Sequence, residues 1–406
     1  MKLFNKRIFL DYAATTPVDR RVFREMKKFF SRDFANPLSF YKEGILANQA
    51  VENARRTIAR IAGVRDTEVI FTSSGTESDN LAILGVLAGV KKDDSNLFAS
   101  WKTKTPHIVT TVIEHPAILE TCREVEKQKL GDVTYLPVLE NGLIDTSKLQ
   151  NVLAEETLIV SVILVNNEIG TVQSLRDVSR EIKKFKNKIG RRHDEAPFLH
   201  TDASQAACFC DINLDRLGVD MMTIDGSKIY GPKGCGCLIK KSYVPMSSIQ
   251  FGGNQEFGLR PATHNVPNIV GLASALRIAN DNREAHSEKL AKLQKYFFDL
   301  IEREIPEAKI NGSIKNRVPN NINICIQGLN SEFAVIQLDE MGVACSAMTS
   351  CKSTSENAKS YVVDALGGNC GTSSLRFTLG RATKASEIRR TVKKIKKVIR
   401  LQKVGK

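Results

Sequence analysis

The sequence predicts an α/β protein: a mainly parallel seven-stranded sheet with helices on both faces, followed by a smaller α+β domain. Two observations predict it. From Glu68 to about Leu238, short runs rich in Val, Ile and Leu alternate with amphipathic stretches, the pattern of strands joined by crossover helices. After about Thr263 that alternation gives way to a long helical stretch, one alternating strand and then further helix and strand segments.

The strand runs are, in order, EVIF from Glu68, HIVTTV from His107, VTYLPV from Val133, LIVSVILV from Leu158, FLHTD from Phe198, MMTID from Met221 and GCLI from Gly236. They are continuous apolar runs because a sheet covered on both faces has no wet side. Thr76–Val90 and Ser174–Lys186 carry helical periodicity between them. Beyond the sheet, Ile269–Glu304 reads as one long helical stretch and NINICI from Asn321 as an alternating strand. At the end, Ile388, Val392, Ile395 and Ile399 form one apolar stripe on a basic helix over Ser386–Lys403. The hydrophilic segments Lys91–Lys104 and Asn187–Glu195 read as surface loops.

Composition excludes several classes. Of 406 residues, 42% are apolar and 26% charged, the balance of a globular protein with a large core. No apolar run approaches the roughly 20 residues that cross a bilayer, and the N-terminal apolar segment is too short for a signal peptide. The chain is therefore expected to be cytoplasmic, with no membrane partner. Nine cysteines, an odd number, do not make a disulfide framework. Cys208/Cys210 and Cys235/Cys237 are C-x-C pairs, not the C-x-x-C of zinc sites, and read as small buried hydrophobes; no metal site is expected. The net charge of +14 is concentrated in the C-terminal helix without interleaved aromatics, so direct nucleic-acid binding is not expected.

In open α/β sheets ligands bind beyond the carboxyl ends of the strands. The polar residues there form a coherent set. Ser74, Gly75 and Thr76 follow the first run where a turn opens a helix, which is either an anion cradle or an ordinary N-cap. His115 follows the second, and alone is as readily structural. Asn166, Asn167 and Glu168 follow LIVSVILV, Asp202 and Gln205 follow FLH, and Lys228 follows MMTID. A phosphate cradle, an imidazole, amides, a carboxylate and a lysine on successive strand ends are what pyridoxal 5'-phosphate requires. A lysine links to its aldehyde, a carboxylate keeps its pyridine nitrogen protonated, and a flat ring stacks on it.

The segments LDYAATTP (10–17), FTSSGTESDNLAI (71–83), EHPAI, VNNEIGTVQ (165–173), HTDASQ, KIYGPKG, GGNQEFGLRPATHNVP (252–267) and SSLRFTLGR (373–381) resemble, in order and across essentially the whole chain, those of the cysteine desulfurases. These are fold-type I, aspartate aminotransferase-like pyridoxal-phosphate enzymes of the class V aminotransferase group. The resemblance implies a large cofactor domain over 15–262, and a small domain of 1–14 and 263–406 with a catalytic cysteine loop at about 344–358. It implies Lys228 as the Schiff-base lysine, with Lys233 structural. Asp202 would face the pyridine nitrogen, and His115 would stack on the ring and move protons. Asn167 and Gln205 would reach the phenolic oxygen. Gly75, Thr76 and, from a second copy, Thr263 would hold the phosphate. Arg376 would clamp the substrate carboxylate, with Asn36 and Asn167 orienting the substrate. SAMTSCKS (346–353) points to Cys351 as the nucleophile, while Cys345 reads as a packed residue.

Five positions depart from the family's pattern. Asp225 stands for a serine that binds phosphate, Ser227 for a histidine, Tyr41 for a histidine, Phe257 for an arginine and Ala262 for a glycine. A carboxylate beside a phosphate is repulsive, so Asp225 is expected to turn away or pair with a cation, and Ser227 to take over the hydroxyl contact. The reading that results is a homodimer converting L-cysteine to L-alanine. The sulfur would be left as a persulfide on Cys351 for an acceptor in iron–sulfur cluster assembly or tRNA thiolation. The alternatives are another enzyme of the group, an aminotransferase or selenocysteine lyase in which Cys351 is incidental, and a catalytically degenerate sulfur-transfer partner.

Overall fold

The protein is seen in a computed structural model that describes residues 7–92, 104–347, 359–368 and 370–404. Chain order begins with the short strand β1 (Ile8–Phe9) and helices α1 (Arg20–Met26) and α2 (Lys42–Ala62). The large sheet follows, with its helices between the strands. It comprises β2 (Val69–Thr72), α3 (Gly75–Lys92), β3 (His107–Thr111), α4 (Pro116–Lys127), β4 (Asp132–Leu136), α5 (Thr146–Val152), β5 (Thr157–Ser161), α6 (Leu175–Lys188), β6 (Phe198–Asp202), α7 (Leu214–Leu217), β7 (Met221–Asp225) and β8 (Gly236–Lys240).

The seven expected strand runs form one sheet in the order β2-β8-β7-β6-β5-β3-β4. Only β8 runs against its neighbours, so the carboxyl ends of β2, β3, β5, β6 and β7 share one edge. Both faces are buried, and the pleat shows it. Val69 and Phe71 pack in one core cluster with α1 and α2, whereas Ile70 between them packs in another with α3. Met222 and Met221 divide in the same way, as do Cys237 and Leu238.

The remaining elements are α8 (Val266–Asp281), α9 (Arg283–Glu304), β9 (Lys309–Ile310), β10 (Asn321–Cys325), α10 (Ser331–Glu340), β11 (Val343–Ala344), α11 (Tyr361–Ala365), β12 (Ser374–Thr378) and α12 (Ala385–Val404). A three-stranded antiparallel sheet, β12-β10-β9, and the parallel pair β1-β11 share a core with α9, α10 and the apolar stripe of α12. Ile8 and Leu10 of the N-terminal segment lie in that second core.

One expectation is corrected here. Ile269–Glu304 is two helices: α8 ends at Asn282, whose Nδ2 donates to Ile278 O at 2.8 Å. The two cores divide these helices between them. Val266, Ile269, Leu272 and Leu276 of α8 join the large core, and the small core is entered from Leu290 in α9. Finally, Cys325 and Cys370 form a disulfide with their Cα atoms 5.8 Å apart. Their 45-residue separation gives no sequence signal for the pairing.

Candidate active site

The carboxyl edge of the large sheet opens into a cavity of about 240 Å³. Gly75, Thr76, His115, Asn167, Asp202, Gln205, Lys228 and Arg376 all line it, although they come from six different segments of the chain.

His115 follows β3 as the N-cap of α4, its Nδ1 accepting the Ala117 N–H at 3.1 Å with Pro116 at the first helical position. With Nδ1 an acceptor, the neutral ring carries its proton on Nε2. Burial lowers the pKa of this imidazole, and the Lys228 charge adds to that against the opposing carboxylates. Lys228 ends the short helical turn after β7, and its Nζ donates to Ala14 O at 2.6 Å. Burial lowers its pKa too, which favours the neutral amine that attacks a carbonyl.

Asp202 is the last residue of β6. One of its oxygens accepts the Ser204 N–H at 2.8 Å, which fixes the carboxylate at the cavity floor. Arg376 reaches in from β12 of the small domain. Nη1 donates to Asn167 O at 2.9 Å and Nη2 to Asp11 Oδ1 at 2.9 Å, while the buried Nε has no partner among the described residues. The Asn167 Oδ1 is likewise buried and without a partner among the described residues. Buried polar atoms without partners are rare, and two around one cavity mark where a ligand's polar groups go.

Other expected residues lie away from the cavity or are engaged with the backbone. Asn36 is exposed, and its Oδ1 accepts the Leu38 N–H at 3.0 Å. Thr263 is exposed and outside this chain's cavity. Gln205 lines the cavity but spends Nε2 on Ala13 O at 2.9 Å. Lys233 donates to Thr16 O at 2.9 Å and is absent from the cavity wall. Cys351 lies outside the described residues, whereas Cys345 is buried, with its thiol pushed up to about 12 by that burial.

Asp225 does not turn away, and it finds hydrogen-bond donors instead of a cation. Its Oδ2 accepts the Gly75 N–H at 3.0 Å and its Oδ1 accepts from Ser227 N at 2.7 Å and Ser227 Oγ at 2.6 Å. Ser227 therefore does not offer its hydroxyl to the cavity.

Sequence reasoning missed Asp79, Ser204 and the carbonyls of Ala13 and Ala14, all on or at the cavity wall. Asp79 had a signal: it lies four residues past Gly75, on the same face of α3. Burial, then the Asp202 charge, raises its carboxyl well above the ordinary range. Glu168 belongs to the domain junction. Its backbone O accepts from Asn321 Nδ2 at 2.9 Å and Asn323 Nδ2 at 3.1 Å, and Ser360 Oγ donates to its carboxylate.

The ring end of this set fits pyridoxal phosphate: a lysine, a fixed carboxylate, a flat imidazole and an unpartnered amide oxygen face one cavity. The phosphate end offers the start of α3, where Asp225 must yield.

Comparison with known proteins agrees with that fit. The aminotransferase class-V family matches residues 8–391. A cysteine desulfurase IscS of Dictyoglomus turgidum is 36% identical over 397 residues, 97% of this chain and 95% of the relative. One from Histophilus somni is 38% identical over 388 residues, 94% of this chain and 90% of the relative. Among solved structures, a NifS-like protein superposes with a TM-score of 0.85 at 31% identity, covering 97% of this chain and all of that one. SspA in complex with cysteine superposes with a TM-score of 0.75 at 31% identity, over 92% of this chain and 98% of that one. The chain belongs to the class-V aminotransferase family, and within it to the pyridoxal-phosphate-dependent cysteine desulfurases.

Proposed function

We propose that this protein converts L-cysteine to L-alanine and delivers the sulfur, through a persulfide on Cys351, to an acceptor protein of iron–sulfur cluster assembly or tRNA thiolation. The observation that carries the reading is the placement of the Lys228 amine and the Arg376 guanidinium on one cavity with Asp202 and His115.

Bound there, the cofactor supplies an electron sink for bonds at the substrate's α and β carbons. Lys228 supplies the amine that holds the cofactor and, once released, takes the substrate's α-proton on Nζ. Asp202 holds a proton on the pyridine nitrogen. His115 returns protons from Nε2, the one ring nitrogen its helix cap leaves free. Arg376 still has its Nε–H for the substrate carboxylate, in the planar fork that suits such a group. The Cys351 thiolate attacks the substrate sulfur. The new bond is S–S, the broken bond is Cβ–S, and its electron pair stays with the substrate carbon, which takes up a proton to become the methyl of alanine.

A second copy is part of this reading. Phe34, Phe40, Tyr41 and Phe251 are exposed, Phe40 at 98%, and large exposed aromatics of this kind support a surface that a second copy covers. Thr263, exposed here, would then reach the neighbour's phosphate.

The test is alanine formation from L-cysteine with a thiol reductant. Activity is expected in the wild type and loss of it in both Lys228→Ala and Cys351→Ala. Full activity in Cys351→Ala would instead place the chain with the aminotransferases or selenocysteine lyases.

A further inference from the structure

The first N–H groups of a helix have no intrahelical acceptor and carry the positive end of its dipole, which is why phosphates settle there. Gly75 N–H, at the start of α3 on the cavity wall, is one donor of that kind, and it is already taken by Asp225 Oδ2 at 3.0 Å. The contact is close-packed: a Cβ at Gly75 would stand 3.3 Å from that oxygen and 3.1 Å from Ser204 Oγ. The other carboxylate oxygen is held by the backbone N–H of Ser227 at 2.7 Å and by its hydroxyl at 2.6 Å. Asp225 is thus pinned by three hydrogen bonds between the start of α3 and the turn that carries Lys228.

We propose that Asp225 is an internal anion that competes with the cofactor's phosphate for the start of α3, and so lowers this chain's preference for phosphorylated over unphosphorylated pyridoxal. The proposal deepens the cofactor reading above and rests on it. An arriving phosphate takes the Gly75 N–H only if the carboxylate gives it up, and the two anions then face each other across the cradle. Ser227 cannot relieve the contact, because both its donors hold Asp225. The ring end, built from Asp202, His115 and Lys228, is untouched by this competition. The phosphate's share of the binding energy falls while the aldehyde's attachment to Lys228 does not.

The test compares dissociation constants of pyridoxal 5'-phosphate and of pyridoxal, read from the visible absorbance of each loaded enzyme on dilution. It uses the wild type, Asp225→Asn and Asp225→Ser. Asn keeps an oxygen acceptor for Ser227 N–H, and Ser can cap the same turn, so both variants keep Lys228 in place; either one alone decides the matter if the other fails to fold. A charged hydrogen bond is at stake, so the preference for the phosphorylated aldehyde should rise by roughly tenfold or more in both variants, with pyridoxal affinity unchanged. A preference that stays constant or falls, while both aldehydes still bind, overturns the role of Asp225 alone. Failure of all three proteins to bind either aldehyde overturns the cofactor reading, and this proposal with it.

Discussion

Lys228 and His115 both lose affinity for protons because the cavity withdraws them from water, which favours the neutral amine of the one, a nucleophile, and the neutral imidazole of the other, a proton acceptor. The same burial acts on Glu114, the neighbour of His115, with the opposite consequence. Its Oε1 accepts from Thr111 Oγ1 at 2.7 Å and Ile163 N at 2.9 Å, its Oε2 has no partner among the described residues, and burial raises its pKa from 4.5 to about 8. The folded state therefore binds the proton that the unfolded chain releases. The stability this contributes is complete below pH 4.5 and is lost as pH rises through about 8. Glu114→Gln, which cannot ionise, should remove that decline, worth on the order of a few kcal/mol, and should be more stable than the wild type above about pH 8. Urea midpoints of the two proteins across this range check it; parallel curves would refute it. Single residues at strand ends could be read from the sequence because each follows an apolar run. The Gly75–Asp225 contact could not, since 150 residues separate its partners.

At the scale of elements, the segment 252–264 that carries Thr263 is fastened by a buried ion pair. Arg55 of α2 donates to Glu256 through Nη1 at 2.9 Å and Nη2 at 2.8 Å, and Glu256 also accepts from Phe71 N of β2 and from His264 Nε2, both at 2.7 Å. Glu256 and Phe257 sit at φ of 50° and 59°, a region non-glycine residues rarely adopt, and the Phe257 ring lies 5.1 Å from the Arg55 guanidinium. Removing one member of such a pair strands a charge in the core. Arg55→Met should lower unfolding free energy by about 3–5 kcal/mol in urea titration, and a loss below about 1 kcal/mol would show that the clasp is dispensable. The pairing of distant strands was foreshadowed by their apolar runs. The break between α8 and α9 was not, because helical periodicity runs on through Asn282 and only its cap geometry ends the helix. The clasp was hidden for a different reason: a sequence shows charged residues, not which of them meet inside.

For the whole molecule, the cavity lies where two cores meet. Lys228, Asp202 and His115 belong to the large sheet, Arg376 to the small one, and Asn321 and Asn323 tie the small sheet to the Glu168 carbonyl. The architecture was readable as alternating runs followed by a changed pattern. The exact seam was not, since α8 is apolar over most of its surface and its sequence does not say that its partners are α1 and α2. The exposure of Phe34, Phe40, Tyr41 and Phe251 predicts a dimer in sedimentation velocity, and Phe40→Asp should shift it towards monomer and weaken cofactor retention. A monomeric wild type that keeps its cofactor would contradict the role given to Thr263. The central claim, that the strand ends of the large sheet hold pyridoxal phosphate through Lys228, is tested most directly by borohydride reduction of the purified holoenzyme and peptide mapping. The account predicts one pyridoxyl adduct, on Lys228 in the segment TIDGSKIYGPKG, and no such adduct anywhere in Lys228→Ala. An adduct on Lys233 or on a surface lysine, or none on a folded protein supplied with the cofactor, would contradict it.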